Sequence, residues 1–153
     1  MERIGKGMVA GLVATLVLSA IMVMKSMMGI MPQLDLPNML AGMMGSPGNA
    51  ALGWTVHFII GIVGYGIVMA LLDEHLPGHS STWHGTLIGI GGWLIMMVML
   101  MPMAGAGFFG MAMGIMAPVM TLVLHIIFGA VLGWTYGKLH TASWQVDAGA
   151  MRR

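Results

Sequence analysis

Along this chain, long apolar stretches alternate with short segments where polar residues, glycine and proline gather. A spanning helix takes roughly 20 mostly apolar residues. Four stretches meet that length, at about 7–27, 50–72, 84–103 and 116–137. No acidic or basic residue occurs between Glu74 and Lys138, but that interval is too long for one helix. Pro102 and the Gly105-Ala106-Gly107 stretch divide it, and Pro118 falls near a helix start, where proline is tolerated. The pattern predicts an all-α integral membrane protein, with residues 1–153 forming a single four-helix transmembrane domain.

Composition agrees with the pattern. Six Lys or Arg and five Asp or Glu stand against 58% hydrophobic residues. Mean hydropathy is +0.91. A soluble fold of this size needs a charged surface, so lipid must solvate this one. The net charge of +1 gives no argument for nucleic acid, and the absence of cysteine excludes disulfides, iron–sulfur clusters and thiolate chemistry. The N-terminal Met1-Glu2-Arg3-Ile4-Gly5-Lys6 precedes an apolar run that continues to Met24 with no clean cleavage pattern, so it reads as a retained helix rather than a signal peptide.

Charge sets the expected orientation. With four spans, both termini share one side with the 73–83 loop, and that side holds Arg3, Lys6, Lys138, Arg152 and Arg153; the other side holds only Lys25. The positive-inside rule therefore predicts cytoplasmic termini. The outer loops, 28–49 and 104–115, are apolar and rich in Gly, Pro and Met. They are expected to fold back onto the bundle, lie in the interface or meet a partner. Lys25 would snorkel to the outer interface, with Asp35 solvated or paired to it.

The halves of the chain resemble each other. Gly11 through Met24 aligns with Gly85 through Val98 without a gap, and a Met-Pro pair follows in each, Met31-Pro32 and Met101-Pro102. His57 and His125 are 68 residues apart, as are Gly61 and Gly129, so both halves carry H-x-x-x-G in an apolar helix. Two tandem helical hairpins, about 7–72 and 84–137, would be related by a pseudo-two-fold axis along the membrane normal. His57 and His125 would then lie at one depth.

An ionisable residue at membrane depth is costly and marks a functional hypothesis. His57 and His125 could be axial ligands of a haem b between the second and fourth helices, with Gly61 and Gly129 leaving room for the ring. They could instead bind copper together with methionines. The plainer account is that each hydrogen-bonds across helices to a carbonyl, Ser or Thr.

Methionine is unevenly spread. Seventeen of 21 fall in two blocks, Met22–Met44 and Met96–Met120, both assigned to the outer half. Thioether sulfur suits Cu(I). The pairs Met39/Met43, Met99/Met103 and Met116/Met120 have i,i+4 spacing and would put two sulfurs on one helix face. Against this, methionine commonly fills irregular gaps and adaptable contact surfaces. The inner loop, Asp73 to His84, combines three histidines and two carboxylates, but its spacing matches no metal signature and Pro77-Gly78 reads as a solvated turn.

No G-x-S-x-G, H-E-x-x-H or phosphate-binding glycine loop is present, and no carboxylate sits at membrane depth. The chain is thus not expected to be an autonomous enzyme or a standard proton-coupled carrier.

Ala10-Gly11-Leu12-Val13-Ala14-Thr15, Leu34-Asp35-Leu36-Pro37-Asn38-Met39-Leu40 and Gly53-Trp54-Thr55-Val56-His57-Phe58-Ile59-Ile60-Gly61 resemble an uncharacterised family of small four-helix bacterial and archaeal membrane proteins. The second half matches mainly through Trp93-Leu94 and the His125 helix. The resemblance implies a multi-pass protein of the cytoplasmic (inner) membrane and supplies no activity. Three functions are expected to compete: an accessory subunit of a larger respiratory-type redox complex, a stand-alone haem b electron carrier, and a Cu(I)-handling protein using outer Met and His. Partners are the lipid bilayer and other membrane subunits.

Overall fold

A computed structural model describes the backbone of residues 2–150 and the side chains of residues 3–141; Arg152 and Arg153 lie outside the described residues. Among the described residues there is no strand. Helix α1 runs Glu2–Met27. A short α2, Leu36–Met43, precedes a long second helix made of α3 (Ala50–Ile59), a π-helical turn (Ile60–Tyr65) and α4 (Gly66–Leu72). The third comprises α5 (Ser81–Ile95), a second π-helical turn (Met96–Leu100) and the single turn α6 (Met101–Met103). A 3₁₀ segment, Phe108–Met113, leads into α7, Met116–Ala150.

Four of these helices are long and apolar enough to cross a membrane: Arg3–Met27, Ala50–Leu72, Ser81–Met103 and Met116–Thr141. The second has the edges expected from sequence. The first begins earlier than residue 7 because its charged start, though exposed, is tied to the second span. Arg3 pairs with Glu74 at 3.0 Å and donates to Ala70 O at 3.2 Å. The fourth runs past residue 137, since Lys138 can lie on a helix face without ending the helix.

Helix α1 packs against the second span on one side and against α7 on the other, and α7 packs on α5. The order across the bundle is therefore second, first, fourth, third. The second span meets α5 and α7 through α4, at the end that carries the N-terminus and the 73–80 turn, and through Tyr65, whose ring lies 4.8 Å from that of Phe128 and whose hydroxyl stands against Gly92. We call the end with the N-terminus the termini end and the opposite one the cap end.

Lipid tails are as apolar as leucine, so spanning helices associate through close packing. Small residues provide it here. A methyl group at Gly11 would strike the Gly61 backbone, and one at Gly7 the Gly66 carbonyl. In the other hairpin Gly85 and Gly129 exclude a methyl on each other, and Gly133 meets Ser81 O. Ala10, Ala14, Leu124, Phe128, Leu132 and Tyr136 fill the space beside these crossings.

The outer loops fold back onto the bundle, one of the three arrangements expected. Pro at the start of α2 and Asp35 as its N-cap, accepting from Asn38 N–H at 3.1 Å, build a helix that lies on α3. Gly53 admits the Pro37 carbonyl there. Lys25 stays at this loop: its ammonium donates to the carbonyls of Ile30, Met31 and Leu34 at 3.0–3.1 Å.

Candidate functional site

His57 is buried, with 6% of its surface exposed. It projects from α3 onto α1, where Nε2 shares a 3.3 Å hydrogen bond with Ser19 Oγ. Trp54 meets its ring edge-on with centroids 5.5 Å apart. His125 turns along its own helix. Its Nδ1–H donates to Thr121 O at 2.8 Å, which leaves the lone pair of the neutral ring on Nε2. Thr121 Oγ1 in turn donates to Ala117 O at 2.8 Å and accepts from Trp93 Nε1 at 3.2 Å.

The two histidines bond to different elements, His57 to α1 and His125 to its own helix. The second and fourth spans meet at α4 and at Tyr65, whose ring packs edge-on against Phe128 at 4.8 Å. Gly61 is filled by the Thr15 side chain and Gly129 by the Gly85 backbone, so neither glycine leaves a slot for a flat ring. The groove on the second span, lined by Trp54, Phe58, Ile62 and neighbours, includes neither histidine.

Of the i,i+4 methionine pairs, Met39/Met43 and Met116/Met120 are split and Met99/Met103 faces outward together. Met99, Met103 and Met116 are exposed, as is Met43, while Met39 and Met120 turn inward. The sulfurs that the structure does gather are others. Met96, Met97 and Met101 are buried at the cap end with Leu34 and Ala106, and Met31, Met39, Met113 and Met120 pack around them. The π-helical turn is the cause. An α-helix has about 3.6 residues per turn, so positions i, i+1 and i+5 would span roughly 140° of its circumference. Here Met101 N–H bonds to Met96 O, an i→i+5 link that stacks Met101 over Met96 and rotates Met99 and Met103 outward.

The inner loop holds a pair that its composition concealed. His84 is 6% exposed, not solvated. Its Nδ1–H donates to Asp73 Oδ1 at 2.8 Å, and Ser81 Oγ donates to Asp73 Oδ2 at 3.2 Å. His84 Nε2 is buried without a protein partner. The available signal was that Asp73 ends one helix and His84 lies in the first turn of the next, across the reversal at Pro77-Gly78. Among the described residues no three His, Cys, Asp or Glu side chains gather to hold a metal ion.

An all-helical bundle with four apolar spanning-length helices, solvated by lipid and holding its polar groups in local pairs, defines a polytopic membrane protein. The chain belongs to a family of unknown function, DUF6789, whose pattern matches residues 1–145. No curated protein and no solved structure matches it.

Proposed function

We propose that this protein is an accessory subunit of a larger membrane complex of respiratory or other redox type, docked through its cap end. The observation that carries this reading is the surface there. Met27 is 83% exposed and Met103 70%, and Met28, Phe108 and Ile115 are each at least 60% exposed, on or beside loops. Lipid tails can cover a spanning helix, but a cluster of large apolar side chains at a membrane-water boundary is a contact surface by its chemistry. Methionine suits an adaptable contact.

In this reading the termini end faces the cytoplasm, supported by Arg3, Lys6 and Lys138 at that end against Lys25 alone at the other. The two hairpins are repeats of one unit. Support comes from the crossings: Gly11 against Gly61 and Gly85 against Gly129 pair residues that the sequence alignment equates. The alignment offset drops from 68 at Gly61/Gly129 to 67 at Gly66/Gly133, as a one-residue insertion at the Ile60–Tyr65 π turn requires. In this reading the redox aspect is membership of the complex rather than electron carriage by this chain.

The test is gentle purification from the native membrane with identification of co-purifying subunits, beside a deletion strain. The expected result is a chain that travels with a larger complex whose assembly falls when it is deleted. A chain that runs alone, with every membrane complex assembled normally in its absence, overturns the proposal.

A further inference from the structure

The geometry points to a second role at the cap end: a buried thioether site for a soft monovalent cation, Cu(I) in the cell, with Met96, Met97, Met101 and Met113 as ligands. It does not rest on the accessory-subunit reading.

Three observations converge. First, the sulfur-bearing side chains are brought together at a conformational cost. Met96, Met97 and Met101 are drawn onto a narrower face where the helix changes pitch at Met96–Leu100. If these residues merely filled space, an unbroken α-helix with leucine at the inward positions would do so without a π turn, a feature that concentrates at functional sites. The non-glycine residues with left-handed backbone, Met31 (φ 48°) and Phe109 (φ 56°), both pack against the same cluster.

Second, methionine side chains from different elements meet. A methyl group on Gly110 would sit 3.4 Å from Met101 Sδ and 3.5 Å from Met113 Cε, so the third span and the 3₁₀ segment bring these two side chains to one point. Met97 Sδ lies 3.9 Å from Thr121 Oγ1 on α7. Met97 and Met101 are fully buried.

Third, the surroundings suit a cation of low charge and high polarisability. The cluster's own side chains are apolar, with Trp93 and Phe109 packed edge-to-face at 5.8 Å; the charges beside it are the Lys25 ammonium, bound to the Met31 and Leu34 carbonyls, and the exposed Asp35 that caps α2. Thioethers select Cu(I), and aromatic faces stabilise a desolvated cation.

The test titrates the purified full-length protein in detergent with Ag(I), a redox-inert stand-in for Cu(I), and follows ¹³C-labelled methionine methyl signals. The expected result is one saturable equivalent, with the Met96, Met97, Met101 and Met113 methyls shifting most. Met97→Leu and Met101→Leu conserve volume and should retain the fold, which the melting temperature checks. Each should weaken Ag(I) binding by at least the roughly tenfold that loss of an outer-shell partner costs a metal site. Met99→Leu and Met103→Leu should bind as the parent does. Absence of saturable binding overturns the proposal, as does binding that survives Met97→Leu and Met101→Leu or falls equally in the Met99 and Met103 variants. The methyl shifts of the parent protein decide the matter even if an inner variant fails to fold.

Discussion

Asp73 and His84 lie eleven residues apart, one closing the second span and the other in the first turn of the third, and their side chains meet at 2.8 Å with little exposure. Ser81 holds the second carboxylate oxygen. The pair ties two spans together where the chain reverses. A hydrogen bond to a charged group contributes about 1.5–3 kcal/mol, and removing one partner leaves the other buried and unsatisfied. Asp73→Asn and His84→Ala should each lower the melting temperature in detergent, whereas His79→Ala, on the exposed part of the same turn, should not. Equal melting of all three variants would mean that the pair carries no structural weight.

Ser19 and His57 offer a way to separate structure from function at the buried imidazole. Ser19→Ala leaves Nε2 without its partner and should cost about 1–3 kcal/mol. Replacing both partners with apolar groups can be nearly neutral, so Ser19→Ala combined with His57→Leu should recover much of the loss. Thermal melts of the two single variants and the double variant close the cycle. If the double variant regains stability yet lowers assembly of the host complex, His57 does more than hold two helices together. Strictly additive losses would show that the 3.3 Å contact couples nothing.

The spans were legible because lipid imposes one requirement, a long apolar run, that survives in any register. The second span shows this best, with observed edges at Ala50 and Leu72. The π-helical turn at Met96–Leu100 left no trace in the sequence, and the one at Ile60–Tyr65 only a one-residue shift between the repeats. In a wholly apolar run either pitch satisfies the backbone, and only tertiary packing selects one. That choice decided which methionines turn inward, so the i,i+4 pairing of Met99 with Met103 pointed to the lipid face instead. The His84 pair was hidden for a different reason: a loop rich in His, Asp, Ser and Gly reads as solvated until its two ends are known to touch. Gly61 and Gly129 were legible as sites of close approach, and what approaches is Thr15 in one case and the Gly85 backbone in the other.

Those crossings should be the least tolerant positions in the bundle. A methyl group at Gly129 meets the backbone of Gly85, which cannot move without shifting a whole helix. Overpacking of this kind costs about 1–3 kcal/mol or more. Gly129→Ala and Gly11→Ala should therefore reduce the yield of folded protein and its melting temperature. Gly64 and Gly91 have open space beside them, so Gly64→Ala and Gly91→Ala should be neutral or stabilising, since alanine is favoured over glycine in a helix by up to about 1 kcal/mol. A reversed ranking would place the close contacts elsewhere.

Orientation can be read with a single thiol, because the chain contains no cysteine to interfere. Pro47 and His79 are both exposed, the first in the loop between α2 and α3 and the second in the turn between α4 and α5. They lie at opposite ends of the bundle. If basic residues direct insertion, Arg3, Lys6 and Lys138 hold the termini end inside against the single Lys25, whose charge is already engaged by three carbonyls. A membrane-impermeant maleimide added to intact cells should then label Pro47→Cys and spare His79→Cys until the cells are opened. The opposite pattern would invert the protein and put the methionine cluster on the cytoplasmic side, where a soft cation would have to arrive from within the cell. Labelling of both sites in intact cells would mean that the chain inserts in two orientations, as the small charge difference between its ends permits.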